Sequence, residues 1–368
     1  MHKISQPTLV IDKAKCLKNI GFMTSKATQL DIPLRPHFKT HQSVEVGRWF
    51  RELGVDRIAV SSLPMAKYFA TDGWNNITVA VPFVPQQGEM ANDLASKIEL
   101  TLTASTVNGA KEISEKIFGN VNVMIEVDTG QGRSGFNPTN FKGIENAIEL
   151  ITKTNNLSFS GFLTHAGHSY KAKPSEIELL NAMAIFEVVE LKKRWINRFP
   201  QITISYGDTP TSVLASNFDG VDELRPGNFT FFDMQQSSRG VCSPSSIAVA
   251  LVCPVIAVYA DECKAVIWGG AVHLSKDSYL LRSGEASFGA VCNVNSDLSW
   301  SSPIDGLFLE SVSQEHGVVR AKNSQLLRNL KEGDLVAILP AHSCLTADTM
   351  GEYLVLGEGM VGTMRKRT

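Results

Sequence analysis

From about residue 14 to about residue 230, short runs rich in Val, Ile, Leu and Thr alternate with longer segments whose apolar residues recur every three or four positions. That alternation predicts parallel strands joined by helical crossovers, because a parallel partner is reached only through a long connection. Eight strands are expected, at residues 34–38, 57–61, 77–81, 99–103, 121–127, 159–164, 202–206 and 222–226, with helices such as 44–53, 64–70 and 175–197 between them. Eight β/α units over this length close into a (β/α)8 TIM barrel. Beyond Ser243 the helical period fades, and β-branched runs at 247–259, 265–268, 317–321 and 335–339 are separated by turn-forming residues. The fold expected is therefore α/β: a barrel over 14–240, and an all-β domain over 241–368. The join falls where Ser, Gly and Pro cluster near residues 239–246.

Composition agrees with two packed cores. Of 368 residues, 43% are apolar and 20% charged, as in a globular chain able to bury a sizeable interior. The net charge is −2, and no basic run exceeds the terminal Met364-Arg365-Lys366-Arg367 patch, so no broad field exists to attract nucleic acid or anionic lipid. The expected partner is a small molecule. Residues 1–12 lack the basic and apolar regions of a signal peptide, and no stretch has the apolar length to span a bilayer, so a cytoplasmic protein is expected. The six cysteines show no CxxC pair, and in a reducing compartment most should be buried free thiols. Only Cys344 has a suggestive neighbour.

A barrel of this kind carries its chemistry at the C-terminal ends of its strands. Arg35, His37 and Lys39 alternate along the first strand, so a period of two points them to one side and puts Lys39 at its end. A lysine held there, partly out of water, can form an imine with an aldehyde. Most lysines are surface residues instead, and position alone proves no function. The segment 207–212, starting Gly207, Asp208, Thr209, follows the seventh strand and opens a short helix; Arg225, Pro226, Gly227 and Asn228 follow the eighth. Loops at those two places commonly cradle phosphate with backbone N–H groups, although either alone would also pass as an ordinary turn. Residues 128–136, which include Arg133, follow the fifth strand, and 164–170, with His165, His168 and Tyr170, follow the sixth. An arginine there suits a phenolate oxygen, and a His or Tyr suits ring contact or proton transfer. His165 and His168 read equally well as hydrogen-bonded barrel residues.

Residues 35–41, 128–136, 164–170, 207–211 and 225–228 together resemble the fold-type III pyridoxal-phosphate enzymes. The group they resemble is that of D-serine dehydratase and D-threonine aldolase, with its alanine racemase-like barrel. The similarity covers nearly the whole chain, and its most specific elements are the lysine segment and His342-Ser343-Cys344. The resemblance implies pyridoxal 5'-phosphate as cofactor, with Lys39 as the Schiff-base lysine and Arg133 at the phenolic oxygen. It places Gly207, Thr209, Gly227 and Asn228 around the phosphate, and Tyr170 with His165 near the ring. It also implies a β-domain completed by a strand within 1–13, and a homodimer in which that domain faces the partner's barrel.

His342 and Cys344 lie two apart, so on a strand they would project to one face and could grip one ion. Alone, H-x-C is weak, and such a pair is more often core or loop. Two ligands close no structural site but suit a catalytic one, and thiolate with imidazole favours Zn2+ over magnesium or calcium, another divalent metal being the alternative. By the resemblance this pair is the metal site of D-serine dehydratases, whereas aldolase relatives commonly carry a carboxylate in place of the cysteine. The expected activity is then dehydration of a D-3-hydroxy amino acid such as D-serine to a 2-oxo acid and ammonia. Lys39 would remove the α-proton and zinc would activate the β-hydroxyl as leaving group. His316, within a family-like segment at 314–317, reads either as a substrate-orienting residue or as part of a solvated turn. Ser275, Lys276 and Asp277 also echo the family, with no chemistry assigned. Retro-aldol cleavage as in D-threonine aldolase, amino acid racemisation and a non-catalytic pyridoxal-phosphate carrier are the alternatives. A metal hydrolase without cofactor would leave Lys39 and both anion loops unexplained.

Overall fold

Seven parallel strands follow one another in chain order across one sheet: Ile58–Val60, Asn76–Pro82, Glu99–Ala104, Val121–Val127, Leu157–Thr164, Thr203–Tyr206 and Glu223–Leu224. These come from a computed structural model that describes residues 4–365. The first three residues, and Lys366 and Arg367 of the basic patch, lie outside the described residues. The chain forms two compact units. One comprises Met1–Gly21, Thr40–Val46 and Asn228–Thr368, and the other Phe22–Lys39 and Gly47–Gly227.

The seven strands belong to the second of these units, and segment 34–38 completes them. Leu34 bridges Leu224 and His37 bridges Ala59, both parallel, so this segment joins the last strand to the first of the seven and closes an eight-membered barrel. Arg35 N–H donates to the Leu224 carbonyl at 2.8 Å, and Ala59 N–H to the Pro36 carbonyl at 3.0 Å. The expected first strand is thus reduced to two bridges. Pro33 and Pro36 have no N–H to give, so a continuous ladder cannot form. Crossover helices include Leu63–Ala70, whose Ser62 cap accepts from Met65 N–H, and Ile177–Trp195. Ala59, Ala80, Met124 and Leu163 form one apolar cluster of this unit.

A buried polar network runs across the closure. Arg35 and Glu223 are only 6% and 8% exposed and pair at 2.7 Å. Arg35 also donates to Asn76 Oδ1 at 2.7 Å, Ser205 Oγ donates to Glu223 Oε1 at 2.7 Å, and Arg225 donates to Ser205 Oγ at 2.8 Å and to the Thr164 carbonyl at 2.6 Å. Four strands and the 34–38 segment thereby share one set of hydrogen bonds.

In the other unit nine strands form one sheet, in the order Lys264–Trp268, His316–Ala321, Leu307–Val312, Gly289–Asn293, Leu335–Pro340, Val249–Tyr259, Thr8–Ile11, Glu352–Val355 and Gly359–Gly362. Lys264–Trp268 also pairs with Val249–Tyr259, so the first six close on themselves and lose their free edges. Thr8–Ile11, where the resemblance implied an N-terminal strand, runs antiparallel to Val249–Tyr259 and parallel to Glu352–Val355. Its Leu9, Val10 and Ile11 are buried. All six cysteines are free thiols; Cys16, Cys253 and Cys292 are buried and the other three half-buried. Among the described residues no helix is long and apolar enough to cross a membrane.

Removing one half of a buried pair strands the other charge out of water. Arg35→Ala should therefore cost roughly 3–5 kcal/mol, seen as a lower urea midpoint at unchanged slope. Arg57→Ala, which breaks the surface pair with Asp56, should cost under about 1 kcal/mol. Equal losses in the two variants would contradict this reading of the closure.

Candidate active site

Lys39 lies in the turn just beyond His37, the last bridged residue of the closing segment. Its backbone N–H donates to His37 Nδ1 at 3.3 Å, so the neutral His37 ring carries its proton on Nε2. Burial holds His37 well below the usual histidine range, and the positive charges of Lys39, Arg225, His165 and Arg133 add to that. These four groups follow four different strands of the barrel. Arg133 is exposed, on a loop whose turn is organised by the Asp128 carboxylate accepting from Gly130 and Gly132 N–H groups.

The loop after the sixth strand is laced to the loop after the seventh. His165 Nδ1 donates to the Gly207 carbonyl at 2.8 Å, Ser169 Oγ to Asp208 Oδ1 at 2.6 Å, and Thr209 N–H to Tyr170 Oη at 3.3 Å. The His165 and Tyr170 rings lie 6.0 Å apart. Burial and the charge of Lys39 bring His165 down to about 3, against a small opposing effect of the Gly207 contact. Asp208 caps the helix Thr209–Leu214; burial raises it to about 6, although Ser169, Thr211 and Arg225 pull the other way. A Cβ at Gly207 would sit 2.7 Å from the Arg225 nitrogen, so only glycine permits this approach of the seventh and eighth loops. Gly227 follows in the buried segment after Arg225.

Thr209 Oγ1 and Ser212 Oγ are buried without a hydrogen-bond partner among the described residues. Buried hydroxyls left so are costly unless something accepts from them. A phosphate would do so, and the residues present therefore fit the anionic end of pyridoxal phosphate.

In the β unit the metal candidates meet in a way the sequence pattern did not indicate. His342 and Cys344 are not on a strand: the strand ends at Pro340, His342 is the N-terminal cap of helix Ser343–Met350, and Cys344 lies in its first turn. Extended backbone at the cap, turning at once into helix, replaces the period-two geometry, yet the two side chains still influence each other's charge. His342 Nδ1 is 2.6 Å from Asp277 Oδ2. Cys344 Sγ is 3.4 Å from Oγ1 of Thr40, the residue after Lys39, and accepts from Asn228 Nδ2 at 3.5 Å. The same Asn228 amide donates to Asp233 Oδ2 at 2.7 Å, and Asn228 Oδ1 is buried without a partner among the described residues.

Burial opposes charge on both members of the pair, but each overcomes it through the other. His342 is raised by Cys344, Asp233 and Asp277, and Cys344 is lowered by His342 and Thr40. Burial raises Asp233. Both shifts favour the charged forms, and sulfur with imidazole nitrogen is a soft donor pair that fits a divalent ion. Among the described residues no group of three His, Cys, Asp or Glu could hold a metal, so the pair is an open, two-ligand arrangement. His316 is exposed at the start of its strand, paired with Trp268, and is not a hydrogen-bond partner of His342, Cys344 or Asp277.

Several residues here escaped sequence reasoning as site members. His37 was visible only as a neighbour of Lys39; Asp208 had a helix-cap signature; Asp233 and Thr40 carried no signal. Asp277 stood in a segment noticed for its family likeness, without a role.

Comparisons with known proteins agree with this geometry. Residues 11–235 match the family model described as "Alanine racemase, N-terminal domain", and 248–356 the "Putative serine dehydratase domain". The D-threo-3-hydroxyaspartate dehydratase of Delftia sp. strain HT23 is 30% identical over 99% of this chain and 97% of its own, and its solved structure superposes with a TM-score of 0.91. Another similar solved structure, 27% identical with a TM-score of 0.91, is a cysteine-to-alanine mutant of a D-threo-3-hydroxyaspartate dehydratase, described as in the metal-free form. A D-serine dehydratase from Dictyostelium discoideum is 27% identical, covering 97% of this chain and 94% of its own. A D-threonine aldolase structure from Filomicrobium marinum, 19% identical over 98% of this chain and 96% of its own, shares the fold with a TM-score of 0.79.

Histidines kept neutral by folding make stability depend on pH. His41 and His165 lie at about 3 when folded, and His37 is well depressed, against 6.5 once exposed. The unfolded chain therefore binds more protons between about pH 3 and 6.5, so this contribution is complete above 6.5 and is lost as pH falls through that window. The loss is up to about 1.4 kcal/mol per pH unit for each histidine. Urea midpoints should fall from pH 7 to pH 4, more gently in His165→Gln; a midpoint unchanged from pH 7 to pH 5 would contradict it.

Proposed function

The chain belongs to the fold-type III pyridoxal-phosphate enzymes of the D-serine dehydratase and D-threonine aldolase group, and on that premise we propose that it is a D-amino acid lyase that dehydrates a D-3-hydroxy amino acid. The observation that supports dehydration is the placing of His342 and Cys344 together at the start of helix Ser343–Met350, His342 against Asp277 and Cys344 against Thr40 and Asn228. Residues 14–240 serve as the cofactor-binding barrel, and 241–368, with the strand within 1–13, as the domain that adds the metal.

When bound, pyridoxal phosphate supplies an electron-poor ring that takes up the charge left on removal of the substrate's α-proton. Lys39 binds its aldehyde and, once displaced by substrate, moves that α-proton. Arg133 binds the phenolic oxygen. Thr209, Gly207, Gly227 and Asn228 hold the phosphate, a role supported by the orphaned Thr209 hydroxyl and the close approach at Gly207. His165, kept uncharged by its surroundings, contacts the ring without competing for the proton, and Tyr170 stands beside it. His316 orients substrate. His342 and Cys344 would hold Zn2+, or another divalent ion, whose chemistry there is that of a Lewis acid on the β-hydroxyl. The substrate loses its α-proton and β-hydroxide, and a water returns in hydrolysis, so D-serine yields pyruvate and ammonia. The enzyme is read as a cytoplasmic homodimer acting on a small D-amino acid, with neither nucleic acid nor membrane as partner.

Protein loaded with cofactor and zinc, incubated with D-serine, D-threonine and D-threo-3-hydroxyaspartate, should release 2-oxo acid and ammonia in equal amounts from at least one of them. Lys39→Ala should lower that rate by roughly 10²–10⁴-fold or more, and chelation should abolish it until zinc is restored. Glycine and acetaldehyde from D-threonine would replace this reading with retro-aldol cleavage. Chelator-insensitive racemisation would replace it with a racemase, and cofactor absorbance without turnover of any D-amino acid with a carrier.

A further inference from the structure

Asp277 stands at the end of a chain of contacts that all lead to one nitrogen. The short helix Ala271–Leu274 ends in Ser275, whose φ of 71° and ψ of −176° is a conformation that side-chain-bearing residues rarely hold. Two hydroxyls of the metal-pair helix fasten this corner: Thr346 Oγ1 donates to the Leu274 carbonyl at 3.2 Å, and Thr349 Oγ1 to the His273 carbonyl at 2.9 Å. Ser275 Oγ then accepts from Asp277 N–H at 3.2 Å, which turns the chain so that Asp277 Oδ2 reaches His342 Nδ1 at 2.6 Å. The His342 side chain, although at a helix cap, makes no capping bond to that helix.

With the Asp277 carboxylate oxygen accepting, Nδ1 is the donating nitrogen. That leaves Nε2 as the lone-pair donor toward an ion. We infer that Asp277 is a positioning residue for the metal pair: through the hydrogen bond to Nδ1 it holds His342 in one tautomer and one ring orientation, with Nε2 as the ligand atom. This rests on the reading of His342 and Cys344 as metal ligands. A histidine without such a partner divides its population between tautomers and rotates more freely, and loss of a carboxylate that orients a metal-bound histidine typically costs 10–100-fold in affinity. The strained corner at Ser275 and the two threonine hydroxyls give Asp277 a fixed direction rather than a swinging surface carboxylate.

The test titrates cobalt(II) into full-length protein that carries its pyridoxal phosphate but has been stripped of metal, reading the thiolate-to-cobalt charge-transfer band. Wild-type protein should give the band, Cys344→Ser should lose it, and His342→Ala should fail to saturate. Absence of the band in wild type would overturn the metal pair itself, and this inference with it. If the band is present, Asp277→Ala should reach the same final spectrum with a midpoint about 10–100-fold higher in cobalt. Asp277→Asn, close in shape and still an acceptor through its amide oxygen, should fall between the two, and exposed Lys276→Ala should match wild type. Asp277→Asn also carries the test should Asp277→Ala fold poorly. Wild-type cobalt affinity in both Asp277 variants, with the band intact, would overturn the positioning role while leaving the metal pair standing.

Discussion

Closure of the barrel through residues 34–38 is the constraint on which the barrel site depends. Two prolines leave this segment only a pair of bridges, to Leu224 on one side and Ala59 on the other. The buried Arg35–Glu223 pair and the Ser205–Arg225 hydrogen bonds reinforce it. A strand so short releases the chain into a turn directly after His37, and Lys39 is in that turn. Its position follows from closure.

The two units gather opposite charge. In the barrel, burial first, and then the charges of Lys39, Arg225 and Arg133, keep His37 and His165 neutral. That excess of positive charge suits an anionic cofactor, and it leaves the histidines unable to take up the proton that Lys39 is proposed to move. In the β unit, Cys344, Asp233 and Asp277 raise His342 against the effect of burial, and donors of this kind suit a cation. Each set is self-consistent within its own unit, and each fits one of the two groups proposed for the enzyme. The buried hydroxyls at Thr209 and Ser212, without a partner among the described residues, fit the proposed phosphate.

Much of this was legible in the residues before any coordinates. The period-two and period-3.6 alternation located the strands Val121–Val127 and Glu99–Ala104 to within a residue, because each is rich in β-branched and aliphatic residues. It overstated the first strand, since prolines interrupt hydrogen bonding without interrupting the apolar pattern. It named His342 and Cys344 for a geometric reason that does not hold: the switch from strand to helix at residue 343 is invisible to a rule that assumes one period. Asp277 was beyond its reach for a different reason. Its partner lies 65 residues away, and only the folded contacts of Thr346, Thr349 and Ser275 reveal where its carboxylate points.

The central claim is that the amine of Lys39 is the group that binds the cofactor's aldehyde. Reduction of the pyridoxal-phosphate-loaded protein with borohydride, followed by peptide mass spectrometry, tests it directly. A phosphopyridoxyl adduct on Lys39 alone is the predicted result; reduction that leaves Lys39 unmodified, or that labels a different lysine at comparable yield, would contradict it.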